Sequence, residues 1–116
     1  MVPLPDDLDL TQAQAYALQP AELAELLGTV LSSLTASLFL LRSADDVPGL
    51  LRCLHDLKGY LGLVASSALT ALVEQAHGLA RQGQQAAARE LLEVLIPRLE
   101  RLHIALEAYR AGIIGS

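Results

Sequence analysis

Leucine and other apolar residues recur at helical spacing along most of this 116-residue chain. In a helix, positions three and four apart share a face, so this spacing gathers the apolar side chains into one stripe. Four segments show it: Leu23, Leu27, Val30, Leu34, Leu38 and Leu41; Leu50, Leu54, Leu57 and Leu61; Leu69, Leu72, Val73, Ala76 and Leu79; and Ala88, Leu92, Leu95, Leu99, Leu102, Leu106 and Tyr109. Since each stripe must be buried against another, the spacing predicts a helical bundle.

Capping residues and helix breakers predict where the helices begin and end. The predicted elements are a short helix from Asp9 to about Leu18, and long helices from Pro20 to about Arg42, Asp46 to about Leu63, Ser66 to about Arg81 and Gln84 to about Arg110. Pro97 interrupts the last helix, where we expect a kink. Short connections favour antiparallel neighbours, so the fold class is all-α, an up-down antiparallel four-helix bundle with a short N-terminal extra helix.

The predicted organisation is one domain with two short ends. Residues 1–19 form a lead and a short cap helix, residues 20–110 form the bundle, and residues 111–116 form a frayed tail. The chain is 53% hydrophobic and only 3% aromatic, a composition that favours helix over strand. A net charge of −5 argues against nucleic-acid binding, which needs a basic patch. The lone cysteine, Cys53, lies within a leucine pattern, which indicates a buried, inert thiol in a reducing compartment.

Residues 23–41 are apolar enough to raise the question of a membrane span, since Glu25 is their only charge. Several hydroxyl side chains interrupt this run, and its leucines keep to one face. No cluster of Lys or Arg flanks it to set an orientation. We therefore expect a buried bundle helix and no membrane insertion.

One stretch, residues 55–62, looks like a site rather than core. His55, Lys58, Gly59 and Gly62 share a stripe, since at 100° per residue the last three lie within about 60° of His55. A histidine beside a lysine, with no bulky neighbours, suits the transient holding of a phosphoryl group. The imidazole is the nucleophile, the ammonium attracts the anion, and the glycines let another protein's backbone approach.

The run His-Asp-Leu-Lys-Gly-Tyr-Leu-Gly that begins at His55 resembles the HxLKG signature of histidine-containing phosphotransfer (HPt) domains. These are four-helix relay modules of two-component signalling, and the resemblance extends over roughly residues 20–110. The spacing to Gly62 is similar to that in the phosphorylated domain of chemotaxis kinases. Tyr60 and Leu61 depart from the small residues that are common at their positions.

The resemblance implies that His55 accepts a phosphoryl group from the aspartate of a receiver domain and returns it to another. Lys58 would offset the phosphate charge. The implied partners are response-regulator receiver domains and a sensor histidine kinase. Mg²⁺ would be bound by the receiver, so the chain needs no cofactor of its own, and it lacks the glycine-rich loop needed to phosphorylate itself from ATP. The expected location is the cytoplasm, either alone or as a domain of a larger membrane-attached kinase.

Chemotaxis-type domains also carry a histidine and a glutamate, one turn apart on the following helix, that interact with the phosphorylated histidine. The corresponding positions here hold Glu74 and His77, in reversed order, and either could face His55. His103 is interpreted as structural, while Arg52 and Asp56 are interpreted as solvated charges at the rim.

Two alternatives use the same residues. One is a non-catalytic helical interaction bundle, a degenerate HPt domain that binds receivers without being phosphorylated. The other is a metal site formed by His55, His77 and Glu74, although bundle metal sites usually draw carboxylates and histidines from four helices.

Overall fold

The computed structural model describes residues 7–43 and 46–115. Its helices are α1 (Thr11–Tyr16), α2 (Pro20–Ser43), α3 (Val47–Tyr60), α4 (Ser67–Arg81) and α5 (Gln85–Gly115), and a 3₁₀ turn (Leu61–Leu63) follows α3. Residues 1–6 of the predicted lead, residues 44–45 of the predicted turn and Ser116 of the predicted tail lie outside the described residues. The prediction of an all-α fold is confirmed.

Local capping explains where several helices begin and end. The Asp46 carboxylate accepts a hydrogen bond from the Gly49 amide at 3.2 Å, and the Ser66 hydroxyl accepts one from the Leu69 amide at 3.2 Å. Each side chain satisfies a backbone N–H that has no partner within its helix. Gly83, between α4 and α5, has a φ of +76°, which favours glycine because a Cβ is strained in that region.

The predicted stripes form one core. Leu27 and Leu34 of α2, Leu54 and Leu57 of α3 and Leu99 of α5 are all fully buried. Leu72 and Leu79 are partly buried at its edge. Tyr109, which we placed on the inner stripe of the last helix, is 39% exposed because it lies near the end of α5, beyond the last fully buried leucine of that helix.

The four long helices pack in a ring. α2 contacts α3 and α5, and α4 contacts the same two helices. α2 and α5 run antiparallel, since Arg42 near the end of α2 pairs with Glu100, whereas Arg110 near the end of α5 donates to the Ala24 carbonyl at 2.7 Å. The ring therefore has an α3–α4 seam and an α2–α5 seam on opposite sides.

Three helices differ in extent from the sequence expectation. α1 (Thr11–Tyr16) is shorter than the helix predicted from Asp9 to about Leu18. α3 ends at Tyr60 and gives way to the 3₁₀ turn, earlier than the predicted Leu63, in a region weakened by Gly59 and Gly62. α5 continues through Pro97 and reaches Gly115, beyond the predicted end at about Arg110. Ile113 packs against the core, and this contact stabilises the last helical turns of α5.

Among the described residues, α2 alone is long and apolar enough to cross a membrane by length and composition. Core helices of soluble bundles meet the same criterion. Here the leucine face of α2, which includes Leu27, Leu34 and Leu38, is buried against the other helices.

Residues 7–9, which we call the strap, run antiparallel to residues 64–66 between the 3₁₀ turn and α4. The Asp9 amide donates to the Val64 carbonyl at 2.8 Å, and the Ser66 amide donates to the Asp7 carbonyl at 2.8 Å. The strap thus fixes the connection between α3 and α4.

A polar contact inside the bundle ties the end of α3 to α2. The hydroxyl groups of Ser37 and Tyr60 are hydrogen-bonded at 2.8 Å, and the Cys53 thiol donates to the Ser37 carbonyl at 3.4 Å. Burial raises the pKa of Cys53 to about 11 and that of Tyr60 to about 12, so both groups stay neutral at physiological pH.

This contact predicts the effect of Tyr60→Phe. The substitution removes the hydroxyl and leaves Ser37, which is 5% exposed, without that partner. We expect the free energy of unfolding, measured by urea denaturation, to fall by about 1 kcal/mol. Tyr16→Phe is the matched control, because Tyr16 is 76% exposed and its change should stay within about 0.5 kcal/mol. Equal stability of the two variants would contradict the contact.

Candidate functional site

The exposed face of α3 carries the predicted site. His55, Lys58 and Gly59 are exposed on the helix, and Gly62 is exposed on the 3₁₀ turn that follows. The opposite face is anchored by leucines that are fully buried, Leu54, Leu57 and Leu61. The candidate site is therefore held by a packed helix while its His55 and Lys58 side chains face solvent.

His77 on α4 lies beside His55 across the α3–α4 seam. Their ring centroids are 6.1 Å apart and the ring planes are tilted by 39°. His77 is half-buried, whereas His55 is exposed. The structure thus places one of the two candidate neighbours, His77, next to His55.

The surroundings of His77 disfavour its protonation. Burial is the main cause of a lowered pKa, and the positive charges of Lys58, Arg81 and His55 add to it. His77 is therefore neutral near pH 7 and keeps one ring nitrogen free to accept a hydrogen bond. Arg81, one turn beyond His77 on α4, was not singled out from the sequence, although its i+4 spacing from His77 could have drawn attention to it.

Glu74 lies at a different place along the seam. Together with Lys58 it lines a small cleft whose other walls are Leu61, Thr70 and Val73. In the described part of the chain, no hydrogen bond joins Glu74 to His55. The structure therefore brings Glu74 to the lysine and His77 to the histidine.

The glycines around His55 are not required by the fold. Gly59 and Gly62 have negative φ, and a Cβ built on either would meet no atom within 4 Å. The same holds for Gly78, which follows His77 on the other side of the seam and was missed in the sequence. Since neither backbone conformation nor internal packing demands glycine here, the surface beside the two histidines is left open on both helices.

The remaining polar residues fall into two groups. Arg52 and Asp56 are exposed beside His55, as the sequence suggested. His103 lies on the far side of the ring at the α2–α5 seam, where its Nε2 is 2.9 Å from the Thr35 hydroxyl and its Nδ1 is 2.9 Å from Glu107. It links two helices and takes no part in the α3–α4 seam.

No group of three or more His, Cys, Asp or Glu side chains is arranged to hold a metal ion within residues 7–43 and 46–115. Cys53 is buried in the core, away from solvent. The α3–α4 seam presents an exposed imidazole and, one turn later, an ammonium group, on a surface with little steric cover.

Comparison with known protein families identifies a match. The family model described as the Hpt domain matches residues 9–112. No curated protein and no solved structure matches the chain. The match covers nearly the whole sequence and includes the α3–α4 seam, so this chain belongs to the Hpt domain family, the helical phosphotransfer modules of phosphorelay signalling.

Proposed function

We propose that the chain relays a phosphoryl group through His55 between aspartates of response-regulator receiver domains. The observation that carries the proposal is the exposed His55 and Lys58 on a surface kept open by glycines that the fold itself does not require. Open backbone beside a nucleophile is what a second protein needs to bring its own active site within bonding distance.

The transfer balances without a further reactant. The Nε2 lone pair of neutral His55 attacks phosphorus, the N–P bond forms, and the bond from phosphorus to the aspartate oxygen breaks to release a carboxylate. The reverse step returns the phosphoryl group to another aspartate. The attack requires the tautomer with its proton on Nδ1.

His77 suits a supporting role in that step. Its ring lies beside that of His55, and its lowered pKa keeps it neutral at physiological pH. A neutral imidazole can accept a hydrogen bond from Nδ1–H of His55, which would hold the attacking tautomer in place. A protonated neighbour would instead repel the positive charge that develops on the attacking ring.

Lys58 is the electrostatic partner of the phosphoryl group. It is exposed one turn after His55 and forms no ion pair within the described residues, so its ammonium group is available to an incoming anion. Each such contact at an exposed position contributes modestly. In this proposal the receiver supplies Mg²⁺ and most of the charge stabilisation.

The proposed partners are a receiver domain and a sensor histidine kinase, which would supply the phosphoryl group from ATP. The proposed location is the cytoplasm, a reducing compartment in which a single unpaired cysteine stays reduced. Gly59 and Gly62 would form the area of closest approach to the receiver.

The first test is the label on His55. Incubation with a receiver domain that carries labelled phospho-aspartate should give wild-type chain an acid-labile, base-stable label, and His55→Gln should take none while keeping its helical circular dichroism. His77→Gln and His103→Gln are the controls, and both should still be labelled. A labelled His55→Gln protein would refute the site assignment. A folded wild-type chain that no donor labels would favour the interaction-bundle alternative.

A further prediction concerns Lys58. Lys58→Ala should slow transfer by about tenfold, equivalent to about 1.4 kcal/mol of transition-state stabilisation. Because the side chain is exposed, the free energy of unfolding should change by less than about 0.5 kcal/mol. Lys58→Arg, which keeps the charge, should retain most of the rate. A large loss of thermal stability in Lys58→Ala would contradict its placement on the open face.

Gly59 allows the effect of a substitution on stability to be distinguished from its effect on the transfer rate. Alanine has room there and a better helix propensity, so Gly59→Ala should stabilise the fold by about 0.5–1 kcal/mol while it slows phosphotransfer by obstructing the partner. Gly112→Ala in α5, where a Cβ also meets nothing, is the matched control and should stabilise the chain without affecting the transfer rate. Equal transfer rates for Gly59→Ala and wild type would show that the partner does not approach Gly59.

A further inference from the structure

A buried ionic cluster joins the strap to two helices. The Asp7 carboxylate receives two hydrogen bonds from Arg98 of α5, from Nε at 2.9 Å and from a terminal nitrogen at 2.7 Å. It also accepts a hydrogen bond from the Ser66 hydroxyl at 2.9 Å. The Asp7 side chain is 6% exposed and that of Arg98 17%, so this bidentate pair is largely withdrawn from water.

The cluster fixes the first turn of α4. The Ser66 hydroxyl gives its proton to Asp7 and, with a lone pair, accepts from the Leu69 amide as the N-cap of α4. The hydrogen bonds of Arg98 lower the pKa of Asp7 in spite of its burial, so the carboxylate stays charged at physiological pH. Asp7 therefore orients the capping hydroxyl and connects it to α5.

The strap also reaches the last turn of α3 through the backbone. The Asp9 amide donates to the Val64 carbonyl at 2.8 Å, the Val64 amide donates to the Leu61 carbonyl at 3.1 Å, and the Leu61 amide donates to the Leu57 carbonyl. Lys58 lies in that same turn, beside Leu57.

Both walls of the Lys58 cleft are thus attached to one strap. The α3 wall contains Lys58 and Leu61, and the α4 wall begins with Thr70, in the turn that Ser66 caps. We propose that the Asp7–Arg98–Ser66 cluster is a positioning device for the phosphotransfer site, which holds the α3 and α4 walls at the separation that directs Lys58 toward the phosphoryl group. This inference rests on the proposed function of His55 and Lys58.

A positioning role differs from a purely structural role in how it couples to Lys58. If Asp7 acts through the lysine, its loss should matter only when the lysine is present, and the two substitutions will not be additive in the transfer rate. If Asp7 only stabilises the fold, its loss will leave the rate of the folded protein unchanged, or will lower it equally in both backgrounds.

The experiment is a double-mutant cycle on the single-turnover rate of phosphotransfer at saturating phosphorylated receiver domain. Asp7→Asn replaces an accepting oxygen with an NH₂ group that opposes the donors of Arg98 and Ser66. We expect a loss of about fivefold in the wild-type background and less than about twofold in the Lys58→Ala background. Asp9→Asn is the matched control, since it removes one exposed carboxylate from the same strap, and it should not change the rate. A rate for Asp7→Asn equal to wild type, or the same loss in both backgrounds, would overturn the proposal.

Amide hydrogen exchange tests the cluster without any phosphotransfer. Asp7→Asn should speed exchange at Leu61, in the α3 wall, and at Leu69, whose amide Ser66 caps just before the α4 wall, by about tenfold relative to Asp9→Asn, while the centre of α2 keeps its protection. Arg98→Lys, which keeps the charge but loses the bidentate geometry, should shift the same amides by less and serves if Asp7→Asn does not fold. Unchanged exchange at both amides would overturn the proposal. If the wild-type chain takes no label, the proposed function is refuted. Hydrogen exchange alone then tests whether the cluster holds the two walls of the cleft.

Discussion

Burial of four apolar stripes in one leucine core is the constraint on which the rest of this structure depends. Each long helix covers its stripe with two neighbours, and the fully buried leucines fix the rotation of every helix about its own axis. That rotation decides which residues of α3 face outward. Because Leu54, Leu57 and Leu61 point to the core, His55 and Lys58 are held at the surface.

The same packing creates two seams with different characters. At the α2–α5 seam, polar groups are paired across the helices, as in the contacts of His103 with Thr35 and of Arg42 with Glu100. At the α3–α4 seam, the two histidines are neighbours, Lys58 has no ion-pair partner within the described residues, and the glycines leave open space. Polar groups that are paired across a seam stabilise the fold, whereas polar groups without a partner in the chain can bind a second protein.

Features that depend on local sequence were predictable. The caps at Asp46 and Ser66, the core stripes and the exposed position of His55 follow from spacing and side-chain chemistry within a few residues. The sequence could not decide whether Glu74 or His77 lies beside His55. These two residues share a face of α4 one turn apart, so the answer depends on how far α4 is shifted along its axis relative to α3. The pairing of Asp7 with Arg98 was also beyond sequence reasoning, since it joins residues 91 positions apart. The ends of α3 and α5 differed for a related reason, as tertiary contacts such as that of Ile113 override weak local signals.

The most direct test of the central claim is to identify the phosphorylated atom. After phosphotransfer from a receiver domain, phosphorus NMR together with long-range proton–nitrogen correlation on labelled chain assigns phosphorus to one nitrogen of one histidine. The account predicts a single phosphohistidine, at Nε2 of His55. Phosphorus on His77 or His103, or no phosphohistidine in a folded chain exposed to several phosphorylated receivers, would contradict it.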